Sequence, residues 1–191
     1  MSKVKIKRIG IIAEDKSDFE TVKELIAKIP SRKQIVLKKA LWRGCGRIHT
    51  KCRRMAVDLN HKGCESLIII RDLDDHKEDD LKDSIEKTIS QNPIEDTIII
   101  ISIRAIEAWL LTDLDAISKT FNYKEKTKIK LRSNTERIEK PKDYLKDIVQ
   151  NRMKKIYLNT VHNQKIARVI NLDNVKKCNS FIPLFDFIAA C

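Results

Sequence analysis

Aromatic residues are scarce in this 191-residue chain, at 5%. That leaves no row of rings on which successive bases could stack, so DNA and RNA are not told apart. Internal repeats and low-complexity tracts are also missing. No apolar run is long enough to span a bilayer. The amino terminus, MSKVKIKRIGII, alternates like a strand where a secretory signal would have an apolar core and a cleavage site. Cysteine is present but unpaired in number: Cys45, Cys52, Cys64, Cys178 and Cys191 fit neither an even disulfide framework nor a zinc spacing. They read as reduced thiols, and a cytoplasmic location without membrane attachment is expected.

Charge is abundant and unevenly placed. Lys and Arg number 39 against 27 Asp and Glu, a net charge of +12. Residues 1–60 carry a balance of +10, residues 61–118 one of −8, and residues 119–169 again +10. An acidic centre between two basic stretches suits carboxylates that hold a metal ion among groups that hold a polyanion.

The acidic centre is anchored by Ser66 to Asp75, SLIIIRDLDD. A short, wholly apolar run reads as a strand buried on both faces, hence in a parallel sheet. Ligands of such sheets bind beyond the carboxyl ends of the strands, where Asp72 and Asp74 stand. Two residues apart, both could face one cation; the alternative is that DLDD simply starts a loop and caps the next helix.

Around it the chain alternates strand and helix signals. Residues 3–13 read as a first strand, followed by Glu14 and Asp15. Ser17 with Glu20 has the spacing of a capping box for a helix that Pro30 stops. Gln34 to Trp42 reads as a second strand, and Arg43-Gly44-Cys45-Gly46 as a sharp turn. A helix over 47–59 has Ile48, Cys52, Met55 and Leu59 on its inner stripe. Another spans Glu78 to Ser90, a fourth strand Thr97 to Ile101, and a helical stretch Arg104 to Asp113. This order predicts an α/β fold, a mainly parallel sheet with helices on both faces. Residues 1–118 form the expected core. Residues 119–191 are expected to complete the same domain as a basic insertion, exposed over 119–140, and a helical extension. A helix starting at Pro141 and a last one capped by Ser180 belong to that extension.

Glu14 after the first strand, Asp72-Leu73-Asp74 after the third and Glu107 beyond the fourth resemble the acidic centre of the Toprim fold. Topoisomerases, bacterial primases and several small nucleases share that fold. Asp15 departs from its pattern, standing where a glycine usually follows the first glutamate. IRAIEAWLLTD (103–113), YLNTVHNQKIARVINLD and CNSFIPLF are similar to a narrower family of small bacterial Toprim-like proteins often found beside phage-defence ATPases. The chain has room for neither a topoisomerase tyrosine domain nor a primase zinc module. The resemblance therefore implies a metal-dependent nuclease acting on DNA or RNA, in phage defence, with an ATPase subunit as partner.

The chemistry asks for the same residues. Hard cations held by carboxylates stabilise the charge that develops in phosphodiester cleavage and acidify an attacking water. Asp72 and Asp74 are the expected ligands of Mg²⁺, or of Mn²⁺ in its place, with Glu14 as a further ligand or as the base. Glu107 joins them or caps a helix start. Arg71 either pairs with Glu14 or places the scissile phosphate. Arg43, Arg47, Lys51, Arg53 and Arg54, with Arg104 and Lys165, are the expected nucleic-acid contacts. His162 could serve as an acid or base near neutrality, although a lone histidine is more often structural or at the surface. The competing readings are a nucleotidyl or phosphoryl transferase with a small substrate, and a non-catalytic nucleic-acid-binding or regulatory subunit of an ATPase. A homo-oligomer stays open in either case.

Overall fold

Four apolar runs become four strands: β1 (Ile6–Ala13), β2 (Gln34–Leu41), β3 (Ser66–Asp72) and β4 (Asp96–Ser102). The computed structural model describes residues 5–42, 48–125 and 129–191. All neighbouring strands run parallel, in the order β2-β1-β3-β4. β1 therefore has β2 on one side and β3 on the other. The chain reverses its direction of travel across the sheet between β1 and β3, which opens a crevice at their carboxyl ends.

Side chains alternate across the sheet, and each face has its own core. Ile9, Ile11, Ile68, Ile70 and Ile100 face α1 (Lys16–Ile26) and the C-terminal half of the chain. Ile12, Leu67, Ile69 and Ile101 face α2 (Ile48–His61) and α3 (Glu78–Ile89). The α/β architecture expected from the sequence, with helices on both faces of a parallel sheet, is what the chain adopts. It is consistent in general terms with a Toprim-like arrangement. The close fit of α2 needs Gly10: a Cβ there would lie 2.8 Å from Leu59 Cδ1.

Several local expectations change. The cap of α1 is Asp15, whose carboxylate accepts from Asp18 N at 3.0 Å. Ser17 is instead buried and donates to Asn159 O. The stretch 104–113 yields a helix of four residues, α4 (Glu107–Leu110), and then α5 (Leu114–Thr120) capped by Asp113. The expected exposed excursion over 119–140 is pinned at its apolar residues, because Phe121, Ile129 and Ile138 are buried in the core. Glu136 in the same stretch is buried and accepts from Asn179 N, Ser180 N and Ser180 Oγ.

The remainder is helical. α6 (Pro141–Asp147) starts on proline as expected and widens into a last turn in which Met153 N donates to Ile148 O. α7 (Asn159–Val169), α8 (Leu172–Val175) and α9 (Ile182–Ala189) follow. Ser180 does not cap the last helix; its hydroxyl accepts from Trp109 Nε1 at 2.8 Å. Trp109 in turn meets Phe181 edge to face, at 5.3 Å between ring centres. Among the described residues no helix is long and apolar enough to cross a membrane. The described cysteines are free and buried, and burial pushes the Cys52 thiol up to about 12 and that of Cys178 to about 11.

Candidate active site

Each strand that meets the crevice delivers an acid to it. Glu14 follows the last residue of β1, Asp72 ends β3, and Asp74 lies two residues on. Glu107 opens α4 five residues after β4 ends. These four line one cavity of about 600 Å³, together with Asp18, Arg104, Lys140, Lys142 and Asn159. The expected convergence of Glu14, Asp72 and Asp74 at one end of the sheet is therefore seen.

Asp72 is fixed from two sides. Its Oδ1 accepts from Ile106 N at 2.9 Å and from the Ser102 hydroxyl. Asp72 thus ties the start of α4 to β3 and also lines the cavity, whereas the helix that follows DLDD, α3, begins after Lys77 with no side-chain cap. Burial above all pushes its carboxyl up to about 7, against the Ser102 hydrogen bond, with the charges of Glu107 and Asp74 adding to the rise. Asp18, in the first turn of α1, is pushed up to about 8 by burial and then by the charges of Asp72, Asp15, Glu107 and Glu14. Asp72 and Asp18 are buried enough to feel the carboxylates around them.

Beyond β3 and β4 the two chains stay paired. Leu73 N donates to Ser102 O and Asp74 N donates to Arg104 O. Asp74 and Arg104 both have left-handed backbones, with φ of 48° and 68°. Such angles are uncommon outside glycine and concentrate at functional sites. Arg104 Nη1 stands 3.8 Å from Asp75 Oδ1, so its guanidinium sits at the cavity mouth with an exposed, loosely held partner.

Glu107 is buried, with 3% exposure. Asn163 Nδ2 donates to its Oε1 at 3.0 Å, and the Tyr157 hydroxyl lies 3.4 Å from the same oxygen. Burial, and then the Glu107 charge, pushes the Tyr157 hydroxyl above the usual phenol range.

Other expected site residues lie elsewhere. Arg71 points to the opposite face of the sheet from Asp72, as strand alternation requires, and forms no ion pair with Glu14; its Nε is buried with no hydrogen-bond partner among the described residues. Arg43 and Arg47 fall outside the described residues. Lys51, Arg53 and Arg54 are exposed on α2, across the sheet from α1, and Lys165 is exposed on α7. His162 accepts from Leu158 N at 3.0 Å through Nδ1 and packs on Phe121, a structural placement.

Among the cavity residues missed from the sequence were Asp18, Asn159, Lys140 and Lys142, with the acids Glu139 and Asp143 beside the two lysines. Asp18 carried a signal, being an acid in the first turn after EDKS, whereas Lys140 and Lys142 reach the site only because α6 packs against α4.

All the donors are oxygens, which suits magnesium or manganese better than zinc. Among the described residues no three Asp, Glu, His or Cys side chains form a ready cluster for a metal ion.

The family described as a domain of unknown function, DUF4276, matches residues 13–189. No curated protein and no solved structure matches the chain.

Proposed function

The chain belongs to the DUF4276 family, and we propose that it is a Mg²⁺-dependent nuclease hydrolysing phosphodiester bonds in DNA or RNA. The observation that carries this is the gathering of Glu14, Asp72, Asp74 and Glu107 from three strand ends into one cavity rimmed by Arg104, Lys140 and Lys142. Acids alone would make a structural liability, and bases alone a surface patch. Together they match a phosphodiester, whose anionic oxygens need both cations and a base nearby.

Asp72 and Asp74 would hold the metal ion, with Glu14 beside them. Bound there, the ion would supply charge to the phosphate oxygens and acidify a water. Arg104, Lys140 and Lys142 would bind and orient the flanking phosphates. Glu14, next to β1 on a tightly capped turn, is the group to accept a proton from the attacking water. The Toprim resemblance supports the same assignment and extends it to work beside an ATPase in phage defence.

A second reading has one observation in its favour. About 600 Å³ is the size of a small-molecule pocket, which suits phosphoryl or nucleotidyl transfer on a mononucleotide. One experiment separates the two. Purified protein is incubated with mixed single- and double-stranded DNA and RNA, and separately with nucleoside triphosphates, with Mg²⁺, Mn²⁺ or EDTA. Metal-dependent shortening of the polymers is expected. Turnover of nucleotides alone would favour the transferase, and binding without turnover in any metal would favour a non-catalytic subunit.

A further inference from the structure

Glu107 is held in an unusual way for a buried acid. No cation among the described residues forms an ion pair with it. Its partners are two neutral groups that are themselves buried, Tyr157 at 5% exposure and Asn163 at 0%. The Tyr157 hydroxyl stands 2.5 Å from Asn163 Oδ1 and 3.4 Å from Glu107 Oε1. A hydroxyl has a single proton, and the shorter line takes it. With its oxygen so occupied, the Asn163 amide turns its NH₂ toward Glu107, where Nδ2 donates at 3.0 Å. Tyr157 thus fixes the amide, and the amide fixes the carboxylate. Both contacts fall on Oε1, while Glu107 itself lines the acidic cavity.

Packing alone does not explain the arrangement. Three apolar side chains of similar size would fill the same space without burying a carboxylate. We propose that Tyr157 and Asn163 are positioning residues that anchor one oxygen of Glu107, so that the carboxylate is presented to a divalent cation in the cavity at a set angle. The inference rests on the reading of that cavity as a cation site. It gives the C-terminal half of the chain a task in the site, since both residues come from the loop and helix that pack α7 against α1 and α4. Partners behind a ligand of this kind commonly set affinity by fixing the ligand's orientation.

The test uses the full chain and Mn²⁺ alone, titrated by electron paramagnetic resonance, with thermal unfolding in EDTA recorded for every variant. Asn163→Leu removes the anchor, and Tyr157→Phe removes only the hydroxyl that orients it while keeping the ring. Mn²⁺ affinity is expected to fall by about 10- to 100-fold in Asn163→Leu and by about 10-fold in Tyr157→Phe. If Asn163→Leu does not fold, Tyr157→Phe decides the matter alone. A folded Tyr157→Phe that binds Mn²⁺ like the unaltered protein overturns the inference and leaves the cation site standing. An unaltered protein that binds no Mn²⁺ at millimolar concentration overturns both.

Discussion

Asp72 and Asp18 have carboxyls raised to about 7 and about 8, which makes them a pH-dependent load on the fold. An acid raised in the folded chain binds more protons folded than unfolded, so stability falls as pH rises. Its contribution is fully present below the ordinary value of 3.8 and is lost as pH climbs through the folded values. In EDTA the melting temperature is expected to drop steadily between about pH 4 and pH 8. Asp18→Asn should flatten that slope and stabilise the metal-free protein by about 1–2 kcal/mol at pH 8.5; a slope unchanged by the substitution would show that Asp18 does not carry the load. Asp72 also needs care in the choice of variant. Alanine there leaves Ile106 N and the Ser102 hydroxyl without their acceptor, at about 1–3 kcal/mol, whereas Asp72→Asn keeps an oxygen for them. Asp72→Asn and Asp74→Ala are therefore expected to abolish metal-dependent hydrolysis while circular dichroism and affinity for an uncleaved strand stay near normal. Normal turnover in both would eliminate this metal site.

At the scale of elements, β1 and α2 meet across a glycine. Leu59 is fully buried, and a methyl at Gly10 would press on its Cδ1, Cβ and Cγ at 2.8, 3.2 and 3.3 Å. Gly10→Ala is expected to lower stability by about 1–3 kcal/mol, the usual consequence of overpacking, read as a lower urea midpoint with an unchanged slope. The elements also divide the basic residues. Lys140 and Lys142 flank the first residue of α6 and line the acidic cavity, whereas Arg53 and Arg54 project from α2 on the other face of the sheet. Reversing Lys140 and Lys142 together should weaken strand binding in EDTA and reduce its salt slope by about 1 to 2. Reversing Arg53 and Arg54 should do less. Equal losses from both pairs, measured by fluorescence anisotropy, would mean that the bound strand spans both faces.

At the scale of the molecule, the core facing α1 is shared between the two halves of the sequence. Trp109 is enclosed by Phe181 and tied to Ser180, while Ile166, Leu184 and Ile188 join the same cluster as Ile9 and Ile68. A fragment ending at Ser118 would expose that face of the sheet. It is expected to lose cooperative unfolding and near-ultraviolet dichroism while keeping some secondary structure. A sharp two-state melt of the fragment would show that residues 1–118 fold on their own.

β3 and β4 were legible in the sequence as short apolar runs bounded by polar residues, the composition that burial in a parallel sheet demands, whereas β1 and the half-exposed edge strand β2, QIVLKKAL, carry it only in part. The positions of Glu14, Asp72 and Asp74 followed from the same rule, since a strand's last residues stand at its carboxyl end wherever the strand lies in the sheet. Side-chain direction was lost at Arg71, which neighbours Asp72 in sequence and faces the other way in space, because one step along a strand crosses the sheet. The stretch 119–140 read as solvated since its charge hides three widely spaced apolar anchors, and only packing shows what Phe121, Ile129 and Ile138 touch. Tertiary structure alone brought Lys140, Lys142, Tyr157 and Asn163 to the acids. No local periodicity encodes that meeting, because it depends on how α6 and α7 pack against α4 and α1, between residues as many as 144 positions apart.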